Sequence, residues 1–254
     1  MKKKILILLL ISLTIIAYSL TACDGYDTAL FSQTITDSDI LESNVCLVKK
    51  TVDGNSFSYN KGASGVIYNY KDQHYYILTA YHAVKDLDKD DCLYIMLFDD
   101  TVTDGPASWY YDTLPIGTVE YGDDKYDLAI VSFVSERKLS TITLSSQAPD
   151  FKDKVAAIGN PANRGRNYIS FGTITSKEPV PFGDETDDIQ FNVITHSAYV
   201  SEGSSGGMLI NEDAELVGIN LGGVVNGFGK FIEGKAMPID KIIDFLNDYS
   251  NIVK

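Results

Sequence analysis

The chain has 254 residues, of which 44% are hydrophobic and 22% are charged, and its formal net charge at pH 7 is −14. This length suits one enzyme domain, or two small lobes that share a site, and the apolar content excludes disorder as the default state. The acidity argues against nucleic acid as a partner, because a polyanion would be repelled.

The first 22 residues have the three-part layout of a secretory signal peptide. Three lysines at positions 2–4 are followed by an apolar run over residues 5–17 and then by small and polar residues. The charge-free stretch 5–22 could alternatively remain in place as a membrane anchor helix. Without residues 1–22 the chain has 18 basic and 35 acidic side chains, a net charge of −17 that favours solubility after export.

The motif Leu20-Thr21-Ala22-Cys23 resembles the lipobox of bacterial lipoproteins. The resemblance implies that Cys23 carries acyl chains, becomes the new N-terminus and anchors the chain to a membrane on the extracytoplasmic side, at the cell surface or in the periplasm. Each buried CH₂ of such chains contributes about 0.8 kcal/mol to anchoring. The mostly polar residues 24–40 are predicted to be a tether behind this anchor.

Short apolar or alternating runs separated by turn residues predict an all-β fold from residue 41 to residue 237. The polar segment 135–153 divides these runs into two groups of six. The runs are 45–49, 65–70, 75–79, 93–98, 116–120 and 128–133, then 155–158, 168–175, 189–195, 208–210, 216–220 and 231–237. We therefore predict two six-stranded antiparallel barrels, at about 41–134 and 154–237, although counting strands does not exclude a β-sandwich.

The end of the chain has a helical pattern over residues 238–249. Pro238 is suited to a first helical turn, and apolar residues then recur at helical spacing. A short C-terminal helix that packs on the body is therefore expected. The cysteines Cys46 and Cys92 could form a disulfide after export, but two buried free thiols are favoured, because nothing else indicates a disulfide scaffold.

The run Gly203-Ser204-Ser205-Gly206-Gly207 is the strongest local signal, and it leads directly into an apolar strand. A nucleophilic hydroxyl needs a nearby base, and it needs backbone N–H groups aimed at the developing oxyanion. The glycines would let the amides of Gly203 and Ser205 supply those donors. A Gly/Ser-rich hairpin turn is the alternative for this segment.

Of the three histidines, His82 is the candidate base, because it directly follows an apolar strand and a turn of small residues. His74 stands in a polar turn and is expected to be solvated. His196 precedes Ser205 by nine positions, and it either lines a substrate pocket or is packed in the core.

Asp127 is the candidate carboxylate that would orient the imidazole of His82. It opens the apolar run 128–131, and an acid buried at that point needs a partner. Asp123 and Asp124 belong to the preceding turn and are expected to face solvent.

Together, the motifs 78–82, 126–130 and 203–207 resemble the three catalytic motifs of chymotrypsin-fold serine proteases, in that family's order. The stretches 157–161 with 172–176, and 217–220, resemble the bacterial high-temperature-requirement (HtrA/Deg) branch. The resemblance covers about residues 41–250. It implies two six-stranded barrels with the site between them, a catalytic triad of His82, Asp127 and Ser205, protein or peptide substrates, and no metal or organic cofactor.

The sequence departs from that branch in three respects. No C-terminal PDZ domain is expected, because few residues follow the predicted helix, Ser204 replaces the Asn or Asp common before the nucleophile, and Tyr81 replaces a small or polar residue. None of these changes removes a catalytic group.

The resemblance also implies where a substrate side chain would bind. The floor of the pocket would be Tyr199, and the remaining candidates are Leu221, Gly222, Gly223 and His196. No acid stands at position 199, so small or medium apolar side chains are expected, with a glutamyl preference through His196 or Thr195 as the alternative.

These observations predict a membrane-anchored extracytoplasmic serine endopeptidase that acts on unfolded or surface proteins. An inactive trypsin-like lipoprotein that binds peptides, or a purely structural surface module, is the alternative.

Overall fold

The computed structural model describes residues 28–102, 105–182 and 191–253. Within these ranges the strands are β1 Asn44–Asp53, β2 Ser56–Lys71, β3 His74–Ala80, β4 Cys92–Met96, β5 Ile116–Asp123, β6 Leu128–Val134, β7 Lys154–Gly159, β8 Tyr168–Thr173, β9 Val180–Phe182, β10 Phe191–His196, β11 Met208–Ile210, β12 Leu216–Val225 and β13 Phe231–Pro238. The helices are α1 (residues 28–37), α2 (Ala107–Tyr111) and α3 (Ile239–Ile252).

Strands β1 to β6 form a closed barrel in the order β1-β2-β3-β6-β5-β4. All six were predicted from the apolar runs, and the all-β fold class is confirmed. Alternate residues of adjacent strands meet in the barrel core, where Ile67 pairs with Ile77 and Ile77 with Val131, and all three are fully buried. This packed barrel is the rigid support for the elements described below.

The second lobe is a sheet of seven strands in the order β8-β7-β11-β12-β13-β10-β9. The six strands of the predicted second barrel are all present, and hydrogen bonds from Thr175 N–H to Thr195 O at 2.8 Å and from Ser197 N–H to Thr173 O at 2.9 Å join the end of β8 to β10. The additional strand is β9, a three-residue edge strand. Pro181 hid this strand from prediction, because a proline argues against a central strand and is tolerated within sheets only at the edge.

Helix α3 is three residues longer than predicted at its C-terminal end and contacts both lobes. Its apolar stripe, Ile239, Ile242 and Phe245, is buried. The Phe245 ring stacks on Tyr121 of the first barrel with 5.2 Å between centroids, and the helix also contacts β12 and β13 of the second lobe.

Residues 28–37, part of the predicted tether, are helical, and residues 28–38 belong to one compact unit while the body begins at Asp39. The hydroxyls of Thr34 and Thr36 donate to carbonyls four residues earlier, at 3.1 and 3.0 Å, so polar residues are accommodated inside a helix. The predicted signal peptide and Cys23 lie outside the described residues. No helix among the described residues is long and apolar enough to cross a membrane.

The two cysteines of the body lie on neighbouring strands but not opposite each other. Cys46 of β1 pairs with Met96 and Cys92 of β4 pairs with Lys50, so the two are offset by four residues, or about 13 Å along the strands. This separation exceeds the span of a disulfide. Both thiols are free, and burial raises the pKa of Cys46 to about 11.

Candidate active site

His82 and Asp127 are joined by two hydrogen bonds. Strand β3 ends at Ala80, and a short 3₁₀ turn over Tyr81–Ala83 presents the imidazole at the barrel edge. The ring Nδ1 lies 2.6 Å from Asp127 Oδ2, and the backbone N–H of His82 donates to Asp127 Oδ1 at 2.8 Å. Because one Asp127 oxygen binds the backbone of His82 and the other binds its ring, the carboxylate fixes the position of both.

Asp127 occupies a backbone conformation that few residue types adopt readily. Its φ is 49°, in the left-handed region that Asp tolerates better than most side chains. Its carbonyl accepts the N–H of Tyr81 at 3.0 Å, and the residue as a whole is 92% buried. The adjacent Tyr126 packs edge-on against Phe245 and donates its hydroxyl to Asp248 at 2.9 Å, so helix α3 supports this turn from behind.

Ser205 lies in the loop between β10 and β11, and this loop is pressed against the first barrel. Gly206 has φ +83°, and a Cβ there would be 2.1 Å from the carbonyl oxygen of Ser64 and 2.2 Å from Thr79 Oγ1. Only glycine allows this approach. Ser205 is thereby brought beside the end of β3, close to the turn that carries His82, and its Oγ donates to Leu221 O at 3.1 Å.

The amides of Gly203 and Ser205 are oriented by their neighbours. In a trans peptide the C=O and N–H point in opposite directions. The carbonyl of Glu202 accepts Ala162 N–H at 2.9 Å, and the carbonyl of Ser204 accepts Gly207 N–H at 2.9 Å, so the Gly203 and Ser205 amides point away from those contacts. Among the described residues, neither amide donates to a protein acceptor. Two unpaired donors therefore flank residue 204.

A cavity of about 260 Å³ opens beside Ser205. Three of the predicted pocket residues line it, namely Tyr199, Gly222 and Gly223. Leu221 is 2% exposed and contributes its carbonyl to Ser205 rather than a wall to this cavity. Sequence reasoning missed the further lining residues, which are Val200, Ser201, Glu202, Val225, Gly229 and Phe231. Val225, Gly229 and Phe231 belong to the β12–β13 hairpin, which no local motif marks, whereas residues 200–202 precede Gly203 in the loop that carries Ser205.

Tyr199 is held as a fixed wall of this cavity. Asn163 donates to its hydroxyl at 2.8 Å, and this bond holds the pKa of the phenol below its usual range. The guanidinium of Arg164 lies 5.2 Å from the ring centroid, and the ring of Phe231 lies at 5.1 Å. Contacts on several sides leave the ring little freedom to open the cavity.

His196 does not line this cavity. It is fully buried in β10 opposite Gly234 of β13, where a Cβ would lie 2.3 Å from the imidazole, so glycine makes room for the ring. Neither ring nitrogen makes a hydrogen bond of ordinary geometry among the described residues, although the side chain of Asn220 and the backbone of Ala198 lie beside the ring and oppose the effect of burial on its pKa. Burial lowers the pKa of His196 to about 4. The packed-core alternative is the one that the structure supports.

This burial predicts an acid-dependent loss of stability. Between pH 6.5 and 4 the imidazole takes a proton in the unfolded chain but not in the folded one, so the free energy of unfolding falls as the pH falls. Between pH 7 and pH 5 we expect His196 to account for about 2 kcal/mol of lost stability. Urea denaturation at both pH values should show that His196→Leu loses about 2 kcal/mol less than the wild type. Equal losses would contradict the assignment.

Tyr81 and Ser204, the two residues near the candidate triad that depart from the resembling branch, each have a structural role. The ring of Tyr81 covers Gly122, where a Cβ would be 2.2 Å from it. Ser204 is buried, and its Oγ accepts the N–H of Ser201 at 3.2 Å, which closes the turn before Ser205. His74 is exposed, as expected for a turn residue.

No group of three or more metal-ligating side chains occurs in the part of the chain that the structure describes. The acidic run 184–188, whose carboxylates have no recognisable calcium-ligand spacing, lies outside the described residues.

Comparison with known proteins agrees with this geometry. The sequence model of the trypsin-like peptidase domain family matches residues 63–219 of this chain. The chain is 32% identical to serine endoprotease DegS of Haemophilus influenzae over 197 residues, which is 76% of this chain and 52% of that protein. It is also 32% identical to DegS of Escherichia coli K12 over 161 residues, 62% of this chain and 38% of that protein.

A third relative is a probable periplasmic serine endoprotease, DegP-like, of Rickettsia conorii, which is 30% identical over 72% of this chain and 32% of its own length. The chain thus matches about half or less of the length of these relatives. The matched peptidase model spans both lobes and includes His82, Asp127 and Ser205. From this match, and from a closed barrel joined to a second β-lobe, the chain belongs to the trypsin-like peptidase family.

Proposed function

We propose that this protein is a serine endopeptidase in which His82, Asp127 and Ser205 hydrolyse peptide bonds through an acyl-enzyme. The observation that carries the proposal is the two-point contact between Asp127 and His82, at 2.6 and 2.8 Å, beside a loop that carries Ser205 and two unpaired amides.

In the proposed cycle, Ser205 Oγ attacks the substrate carbonyl and His82 Nε2 takes its proton. Asp127 accepts a hydrogen bond from Nδ1–H, which keeps Nε2 free as the base and stabilises the charged ring. The amides of Gly203 and Ser205 donate to the oxyanion. His82 then protonates the leaving amine and afterwards activates the water that releases the acyl group. The first movement required is rotation of Ser205 Oγ from the Leu221 carbonyl toward the ring.

Labelling with a fluorophosphonate tests this proposal. A serine activated by its base is phosphonylated, whereas an ordinary hydroxyl is inert. We expect the wild-type protein to be labelled at Ser205 and the Ser205→Ala variant not to be labelled. Labelling at another serine, or none under conditions in which the folded protein is stable, would refute the assignment.

An inactive relative that binds peptides through the cleft is a second candidate. The observation in its favour is that Ser205 Oγ is hydrogen-bonded to Leu221 O and not to the imidazole. It predicts peptide binding that survives in the Ser205→Ala variant, with neither labelling nor hydrolysis in the wild type.

The lining of the cavity supports an apolar preference for the residue before the scissile bond. Its large side chains are Tyr199, Val200, Val225 and Phe231, and its one charged group, Glu202, is exposed. Burying an unpaired ammonium among these side chains would be costly. His196 is buried elsewhere, and Thr195 is also buried, with its hydroxyl 2.7 Å from Thr175 Oγ1, so neither residue proposed for the glutamyl alternative faces the cavity.

We therefore expect cleavage of a peptide library after Val, Leu or Phe to exceed cleavage after Lys or Arg by at least about tenfold in kcat/KM. The control is Glu202→Gln, which should leave this ratio unchanged. Preferred cleavage after Lys or Arg that is lost in Glu202→Gln would show instead that this carboxylate sets the specificity.

The proposal extends to location and substrates. The relatives include one named as periplasmic, and the N-terminal sequence has the layout of an export signal that ends at Cys23. We propose that the protein acts outside the cytoplasm, anchored through acylated Cys23, on unfolded or surface proteins. The excess of acidic residues fits this setting, since it keeps an exported domain soluble.

A further inference from the structure

Ser64 of strand β2 contacts both residues that carry the candidate oxyanion amides. It is fully buried, and its backbone N–H donates to Ser205 O at 2.8 Å while its Oγ donates to Gly203 O at 2.7 Å. Its own carbonyl accepts the hydroxyl of Thr79 at 2.7 Å. A single residue of the first barrel therefore holds the carbonyls of positions 203 and 205 in the second lobe.

The direction of the Ser64 hydroxyl is set by Asn160. The backbone N–H of Asn160 donates to Ser64 Oγ at 2.8 Å, and its side-chain Nδ2 lies within 3.2 Å of the same atom. Because these donors occupy the lone pairs of the oxygen, the hydroxyl proton is directed to Gly203 O. Asn160 Nδ2 also donates to Val45 O at 2.9 Å, so this network is itself fixed to the first barrel.

These contacts determine how the Gly203 amide can move. Gly203 has φ +91° and no side chain, so by itself it could rotate freely about its backbone bonds. Ala162 holds the peptide before it, through Glu202 O, and Ser64 holds the peptide after it, through Gly203 O. Loss of the Ser64 hydroxyl would remove one of these two anchors and leave a buried carbonyl unpaired.

We propose that Ser64 is a positioning residue for the oxyanion-binding amides, with its hydroxyl keeping the Gly203 N–H aimed at the reacting carbonyl. This inference rests on the proposed peptidase function. It makes the first barrel, which already supplies His82 and Asp127, a contributor to transition-state stabilisation as well. Ser64 does not touch the substrate in this proposal and acts only through Gly203.

The matched pair Ser64→Val and Ser64→Thr in the full chain separates the hydroxyl from packing. Both variants add the same branched volume at a fully buried site, but only Thr keeps the hydroxyl. Removal of one oxyanion donor typically costs 10²–10³ in kcat, so misaiming one should cost about 10- to 100-fold. We expect this loss in kcat for Ser64→Val with KM changed less than about twofold, and recovery of most of it in Ser64→Thr.

A second readout is inhibition by a peptidyl trifluoromethyl ketone, which forms a tetrahedral adduct with Ser205. Its Ki should rise in Ser64→Val by the same factor as kcat/KM falls, because the adduct oxygen uses the same donors. The pH profile of kcat should not move, since His82 and Asp127 are untouched. Ser43→Ala is the control, because Ser43 is equally buried and its hydroxyl also donates to a carbonyl, that of Ile40.

The outcomes are distinguishable. Equal kcat in the Val and Thr variants, or a lower melting temperature with unchanged kcat and Ki, would overturn the positioning role while leaving the peptidase assignment intact. A wild-type protein that neither hydrolyses peptides nor forms the adduct would overturn the proposed function, and the role of Ser64 with it.

Discussion

Ser205→Ala is expected to lower kcat for peptide hydrolysis by about 10⁶-fold, because the hydroxyl that forms the acyl-enzyme is lost. The residual rate should come only from substrate binding and from the amides that stabilise the oxyanion. The measurement is kcat on a peptide cleaved by the wild type. Ser146→Ala, which removes an exposed hydroxyl from the segment between the lobes, serves as the control and should retain full activity.

The double variant His82→Ala/Ser205→Ala sharpens this result. Residues that act as one catalytic unit are not additive, so the double variant should be no slower than Ser205→Ala by more than a fewfold. An additional loss of several orders of magnitude would mean that His82 and Ser205 act in separate steps. A Ser205→Ala variant that retains more than about one-thousandth of the wild-type kcat would remove Ser205 from the mechanism.

Asp127→Asn is expected to lower kcat by about 10⁴-fold with little change in stability. The Asn carbonyl can replace Oδ1 as acceptor of the His82 N–H, but its NH₂ then faces Nδ1 where Oδ2 stood. Nδ1 must therefore accept a hydrogen bond rather than donate one, so the ring proton sits on Nε2, which is then unable to act as the base. The measurement is the pH dependence of kcat, together with a thermal unfolding curve.

A matched control for this variant is Asp124→Asn. Asp124 stands in the same turn, but its side chain is 45% exposed and pairs with Lys85 at 3.1 Å. Its replacement should leave kcat within about twofold, since exposed ion pairs contribute little. If Asp124→Asn and Asp127→Asn lost activity equally, the effect would belong to the turn and not to the carboxylate beside His82.

The position of Asp127 depends on helix α3, and local motifs do not reveal this. Tyr126 directly precedes Asp127, and its ring and hydroxyl are held by Phe245 and Asp248. The helix was predicted only to pack on the body. Its contact with the turn that presents Asp127 links the end of the chain to the geometry of the candidate triad.

Much of this architecture could be predicted from local sequence. Hydrophobic alternation located the strands of the first barrel, because each strand buries one face and its period is visible in a few residues. The residues proposed as base, carboxylate and nucleophile could be singled out because their neighbours are constrained locally. A strand must end beside His82, an acid that tolerates a left-handed backbone must precede β6, and glycines must flank Ser205.

Local sequence was therefore enough to predict the β-fold, the short terminal helix and the three candidate catalytic residues. Which distant groups meet became visible only in the folded chain. The tertiary structure placed His196 in the core and not on the cavity, separated Cys46 from Cys92, and put Ser64 against Gly203, 139 positions away. The physical reason is that periodicity reports the face on which a residue is buried, whereas its partners across strands depend on register and on how the lobes pack.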